Sequence, residues 1–143
     1  MTQLTEPPAQ PAVSLVVQSA VALLATKLAL KTIGFPRTLR LIDRRVPAVR
    51  PFDAARQRAL SHAFAAAVPI AAAFLPGRMR CLEQSLALQY LLRRQGVEST
   101  FVLGVTPFRF EAHAWVECAG EPLNESGELI RKLLPMRINA EEH

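Results

Sequence analysis

The apolar residues of this chain recur at helical spacing as far as Gly96 and at strand spacing beyond it. That change of period dictates the order of the architecture: helices first, then an antiparallel sheet, an α+β layout. Four helices are expected. The first runs from Ala12 to Thr32 and stops at Gly34, with Pro36 blocking continuation; the second, Pro36 to Arg45, begins on its own proline. Val46 to Pro51 holds two prolines and reads as a turn, after which Asp53 caps a third helix from Ala54 to about Val68, where Pro69 kinks or ends it. Leu75-Pro76-Gly77 forms a loop into the fourth helix, Cys81 to Arg94, whose Leu82, Leu86, Leu88, Leu91 and Leu92 keep helical spacing until Gly96.

After that glycine, Phe101, Leu103 and Val105 alternate through a strand beginning at Ser99, Thr106 to Glu111 is a loop, and Ala112 to Cys118 is a second strand. Ala119-Gly120 turns the chain into a third strand around residues 122–124, and the remainder from Glu128 is mixed in character. Residues 1–11, with Pro7, Pro8 and Pro11, read as an extended lead-in. The expected division is a helical region over residues 1–75 and a core over residues 76–143.

Composition narrows the functional classes. Only two cysteines, Cys81 and Cys118, are present, too few for a disulfide framework and wrongly spaced for zinc; His62, His113 and His143 are scattered. No metal or cofactor is expected, and a reducing, cytoplasmic location is. No signal peptide is legible, and the uncharged stretch Ala12–Ala25 is 14 residues long, short of the roughly 20 that span a bilayer, so it reads as a buried or interfacial helix. The net charge of +5 is concentrated between Lys31 and Arg50, where Lys31, Arg37, Arg40, Arg44, Arg45 and Arg50 oppose only Asp43. This block reads as a solvated helix face or as a docking surface for an acidic peptide, a partner protein or anionic lipid. Nucleic acid is not expected, because no aromatic residues interleave with the arginines.

Cys81 opens the fourth helix, and His113 lies 32 residues later in the strand Ala112-His113-Ala114-Trp115-Val116-Glu117. A helix N-terminus and a neighbouring imidazolium both favour the thiolate, the nucleophile of cysteine hydrolases. Arg78 and Arg80 add positive potential on either side of the approach. Alternation puts His113, Trp115 and Glu117 on one face and Ala112, Ala114, Val116 and Cys118 on the other, the small residues suiting close packing against the fourth helix or against another strand. A third group that orients the imidazole is sought in the next strand. A two-residue loop at Ala119-Gly120 opposes Cys118 to Glu121 and puts Asn124 on the histidine face, whereas a three-residue loop sets Glu125 opposite His113. Both remain candidates. The backbone N–H of Cys81 is the expected oxyanion donor, and Phe108 and Phe110 read either as core or as cleft lining.

These residues resemble a known family. Arg80-Cys81-Leu82-Glu83-Gln84-Ser85-Leu86-Ala87-Leu88, then Leu91-Leu92-Arg93-Arg94-Gln95-Gly96-Val97, then the His113 strand and Leu123-Asn124, are similar to the leader peptidases of lasso-peptide biosynthesis. Those are members of the transglutaminase-like, papain-related superfamily. The resemblance covers about residues 76–126. It implies a transglutaminase-like core in which the nucleophile helix packs on a small antiparallel sheet. It also implies a Cys-His-Asp protease that removes the leader from a ribosomally made precursor, with Cys81 as nucleophile and His113 as base. The family's aspartate follows the asparagine, and Glu125 stands in that position here; Asn124 is the alternative orienting group. The helical first half resembles the stand-alone protease form, which works with a separate leader-recognition protein and an ATP-dependent cyclase. Two other readings of the same residues are a thiol acyltransferase that passes the acyl group to an amine, and a non-catalytic adaptor built on the basic helical half.

Overall fold

The computed structural model describes residues 12–44, 54–77, 79–106 and 111–137. Helix α1, Val13–Thr32, buries Ser19, Ala22, Leu23 and Thr26, an i, i+3, i+4, i+7 set that lines one side of the cylinder. Helix α2, Phe35–Arg44, buries Thr38, Leu39 and Ile42. Helix α3, Ala54–Phe74, continues through Pro69 rather than stopping near Val68. The proline removes one backbone hydrogen bond, but it is exposed, and Ala67, Val68 and Ala71 stay buried on the opposite side. Burial of that stripe outweighs the missing bond. Helix α4, Cys81–Arg94, has Ser85 to Gln89, Leu91 and Leu92 buried. Asp43, the one acid of α2, pairs with Arg93 of α4 at 3.2 Å. The expected Asp53 cap and the 46–51 turn lie outside the described residues.

The sheet has four strands in the order β3-β2-β1-β4: β1, Thr100–Val105; β2, Ala112–Cys118; β3, Glu121–Pro122; and β4, Leu134–Arg137. All pairs are antiparallel. The third strand is shorter and one residue earlier than expected, and a short helix α5, Gly127–Ile130, precedes the unanticipated β4. Among the described residues strand β4 pairs only with β1, and this edge position tolerates Pro135. The β2–β3 turn is two residues long, since Cys118 faces Glu121 and Glu117 faces Pro122. Its Ala119 (φ 51°) and Gly120 (φ 80°) both lie in the left-handed region that a tight type I′ hairpin requires.

Helices cover one face of this sheet. Ala22 and Leu23 of α1, Phe64, Val68 and Ala71 of α3, Leu88, Leu91 and Leu92 of α4, and Val116 and Cys118 of β2 form one buried cluster. The core therefore runs without a break across residue 75. On the other face, Trp115 and Val102 are closed over by Leu133, with Leu129 and Ile130 alongside.

Candidate active site

The approach to Cys81 is braced by the helix that it opens. Gly77 turns the chain at φ 87°, and Met79 then plugs into the helical core. Arg80 is extended (φ −82°, ψ 173°) and forms the N-cap. Its backbone N–H donates to Glu83 Oε2 at 3.1 Å, and Gln84 Nε2 donates to the Met79 carbonyl at 3.0 Å. Two side chains of the first turn thus reach back and fix the two residues before the thiol. Arg78 lies outside the described residues. Cys81 is half-buried and packs with Leu39 and Ile42 of α2, Leu86, Phe101 and Ala114. Cys118, buried on the α4 side of β2, is also a free thiol.

Two ties set how α4 lies on the sheet. Ser85 Oγ donates to the Ala114 carbonyl at 2.8 Å. One turn further along, Gln89 and Ser99 exchange two bonds, Nε2 to the Ser99 carbonyl at 3.1 Å and Ser99 Oγ to Oε1 at 2.8 Å. Ser99 adjoins Thr100, which pairs with Glu117. Moving from Ser85 to Gln89 therefore parallels moving from Ala114 toward Glu117, so α4 and β2 run in the same direction. One turn back from Ser85, about 6 Å along the axis, is Cys81; two residues back from Ala114, about 6.6 Å, is Ala112. The thiol and His113 consequently sit toward the same end of the contact.

Asn124 completes the clamp. Its Oδ1 accepts from Val116 N–H at 2.9 Å, and its Nδ2 donates to Ser85 Oγ at 2.9 Å. The backbone ladder reaches Leu123, whose N–H donates to the Val116 carbonyl at 2.9 Å; the Asn124 amide then takes the place of the next rung. The two-residue loop gave Asn124 a histidine-face position, but its side chain instead fills the β2 edge and joins α4. Among the described residues it makes no hydrogen bond to His113. Glu125 Oε1 accepts from Ser126 N–H at 3.1 Å, and it too makes no bond to the imidazole.

His113 is half-buried on the parity of Trp115 and Glu117, whose side chains share a bond of 3.4 Å from Nε1 to Oε1. Its partner across the ladder is Gly104. The Trp115 ring occupies the space over that glycine, since a Cβ there would stand 2.5 Å from Cζ3. The indole thus closes the β1 side of His113. On the other side, β3 pairs with Glu117 and Cys118, and among the described residues no strand pairs with the edge of β2 beside residues 112–114. Thiol and ring make no hydrogen bond to one another among the described residues. By strand parity the ring lies on the face of Trp115, away from the Ala114–Val116 face that α4 covers. Phe108 and Phe110 lie outside the described residues.

Ser85, Gln89 and Asn124 as a structural clamp are what the sequence reading missed. The signal was present: Cys81, Ser85 and Gln89 at i, i+4 and i+8 form a polar line down the buried side of a leucine-rich helix, and buried polar side chains require partners. Among the described residues no cluster of three or more metal-ligating side chains exists.

A family model described as the transglutaminase-like superfamily matches residues 20–137. The chain is 34% identical over 53 residues to the Microcin J25-processing protein McjB of Escherichia coli; the match covers 37% of this chain but only 26% of that protein. No solved structure matches.

Proposed function

Because the chain belongs to the transglutaminase-like superfamily, we propose that it is a cysteine peptidase that removes the leader from a ribosomally made lasso-peptide precursor. The supporting observation is the co-directional docking of α4 on β2 through Ser85, which carries the half-buried Cys81 and the half-buried His113 toward one end of the contact. Similarity to a protein named for processing microcin J25 supports a peptide precursor as substrate. A reducing, cytoplasmic location is part of this proposal.

In this reading His113 accepts the thiol proton and Cys81 sulfur attacks the scissile carbonyl, forming a tetrahedral oxyanion held by the Cys81 backbone N–H. The C–N bond breaks as the imidazolium protonates the leaving amine. Water, deprotonated by His113, then hydrolyses the thioester. Glu125 is the favoured orienting group. The Asn124 carbonyl oxygen already accepts from Val116 and its amide donates to Ser85, whereas Glu125 is engaged, among the described residues, through Oε1 alone, by the adjacent Ser126 N–H. A separate leader-recognition protein and an ATP-dependent cyclase are the proposed partners.

The test is mass spectrometry of the precursor after incubation with the protein and the recognition protein of its system. Cys81→Ala and His113→Ala are expected to lower cleavage by several orders of magnitude, and Glu125→Gln to lower it more than Asn124→Gln at equal folded fraction. Iodoacetamide is expected to label Cys81 before the buried Cys118 and to abolish cleavage. Undiminished cleavage by Cys81→Ala overturns the proposal, and an amine-capped product with added amine moves the assignment to acyl transfer.

A further inference from the structure

Helix α1 has two unlike sides. One enters the core through Ser19, Ala22, Leu23 and Thr26. The other carries Val13, Val17, Val21, Leu24 and Leu28, which are 79%, 56%, 63%, 49% and 64% exposed. At helical spacing these five fall within an arc of about 80°, in a line about 22 Å long, and exposed Lys31 closes that line. An apolar strip of this length does not stay open to water on a soluble surface without an occupant.

What surrounds the strip indicates the occupant. Helix α1 contains no acidic residue, and the one acid of α2, Asp43, is paired with Arg93. The exposed face of α2 is cationic, with Arg37, Arg40 and Arg44 around a shallow groove that Ile33 and Leu41 also line. Leu41 lines as well an apolar groove of about 210 Å³ between α1 and α2, together with Ala25 and Ala29. The surface therefore runs without a break from the valine strip, past Ala25 and Leu41, to the three arginines.

We propose that α1 and α2 seat the protein on an anionic lipid surface. The five apolar side chains enter the acyl boundary, and Lys31, Arg37, Arg40 and Arg44 meet the headgroup phosphates. Stable peripheral attachment takes two such signals, apolar burial and a basic patch, and both are built into one surface. Helix α1 is also long and apolar enough to cross a bilayer. Spanning, however, would withdraw Ala22 and Leu23 from the cluster that they share with α3 and α4, whereas a surface seat leaves that cluster intact. The proposal is independent of the cysteine chemistry.

Co-sedimentation of the full chain with sucrose-loaded vesicles tests this. Binding is expected to equimolar phosphatidylcholine–phosphatidylglycerol vesicles, to weaken with salt, and to be negligible on pure phosphatidylcholine. Each basic residue near the surface multiplies partitioning about fivefold, so Arg37→Gln/Arg40→Gln/Arg44→Gln should reduce it by about a hundredfold. Val17→Gln/Val21→Gln/Leu24→Gln should abolish binding, with an unchanged circular dichroism spectrum showing that both variants are folded. Alkaline carbonate should release the bound protein. The proposal is overturned by absence of binding to either vesicle, by retention in carbonate (a spanning helix), by indifference to the apolar substitutions, or by a dimer or partner complex that those substitutions dissolve while vesicles bind nothing.

Discussion

Removing the Ser85 hydroxyl is the most incisive perturbation of this molecule, because one buried oxygen holds three elements together. It donates to the Ala114 carbonyl and accepts from the Asn124 amide, while Ser85 itself is 0% exposed. In Ser85→Ala the Ala114 carbonyl, on a residue 2% exposed, is left without its donor, at a cost of about 1–3 kcal/mol. Asn124 is half-buried, so its freed amide rehydrates and adds about 0.5–1 kcal/mol. The expected loss is about 2–3 kcal/mol. Asn124→Ala strands the Val116 N–H, on a residue that is 0% exposed, and should cost a similar amount. Because the Ser85–Asn124 bond is lost in either variant, the double variant should fall about 1 kcal/mol short of the sum. Urea unfolding followed by circular dichroism, at unchanged m-value, measures all three. A Ser85→Ala loss below about 0.5 kcal/mol, or strict additivity in the pair, would refute the clamp and with it the registration of α4 on β2.

Two further substitutions probe the sheet that carries His113. Ala119 holds φ 51° in the β2–β3 turn and is exposed; a left-handed alanine costs roughly 1–2 kcal/mol, so Ala119→Asn should stabilise the protein by about 1 kcal/mol. A lower urea midpoint would contradict the turn assignment. Gly104→Ala places a Cβ 2.5 Å and 2.6 Å from two Trp115 ring atoms and 3.0 Å from Leu133 Cβ. It should destabilise by about 1–3 kcal/mol and shift the emission of the single tryptophan; unchanged emission and stability would show that the indole does not cover the glycine.

The order of elements was legible because each rests on local chemistry. The period change after Gly96 marks the passage from α4 to β1, and the alanine–leucine content of α1 favours a helix. What escaped depends on contacts distant in sequence. Pro69 reads as a kink or an end of α3, yet the helix runs on to Phe74, because the apolar stripe on either side of the proline is buried against α1 and α4. Leu134-Pro135-Met136-Arg137 has no strand signature of its own; it becomes β4 because β1 offers an unpaired edge.

The same distinction runs through the candidate site. Cys81 at a helix start and His113 in a strand are one-dimensional features, and of the two packings that the alternation allowed for the Ala114–Val116 face, α4 rather than another strand takes it. The role of Asn124 is not one-dimensional. Register parity assigns it to the face of Trp115, but parity governs a side chain only while the ladder continues, and here the ladder ends at Leu123. The Val116 N–H beyond that point requires an acceptor, and the nearest is the Asn124 amide. With that oxygen engaged, the asparagine supports the strand end and helix α4 together. The clamp therefore commits Asn124 to the junction of β2 and α4, which is why the orienting role is proposed for Glu125 and not for the asparagine beside it.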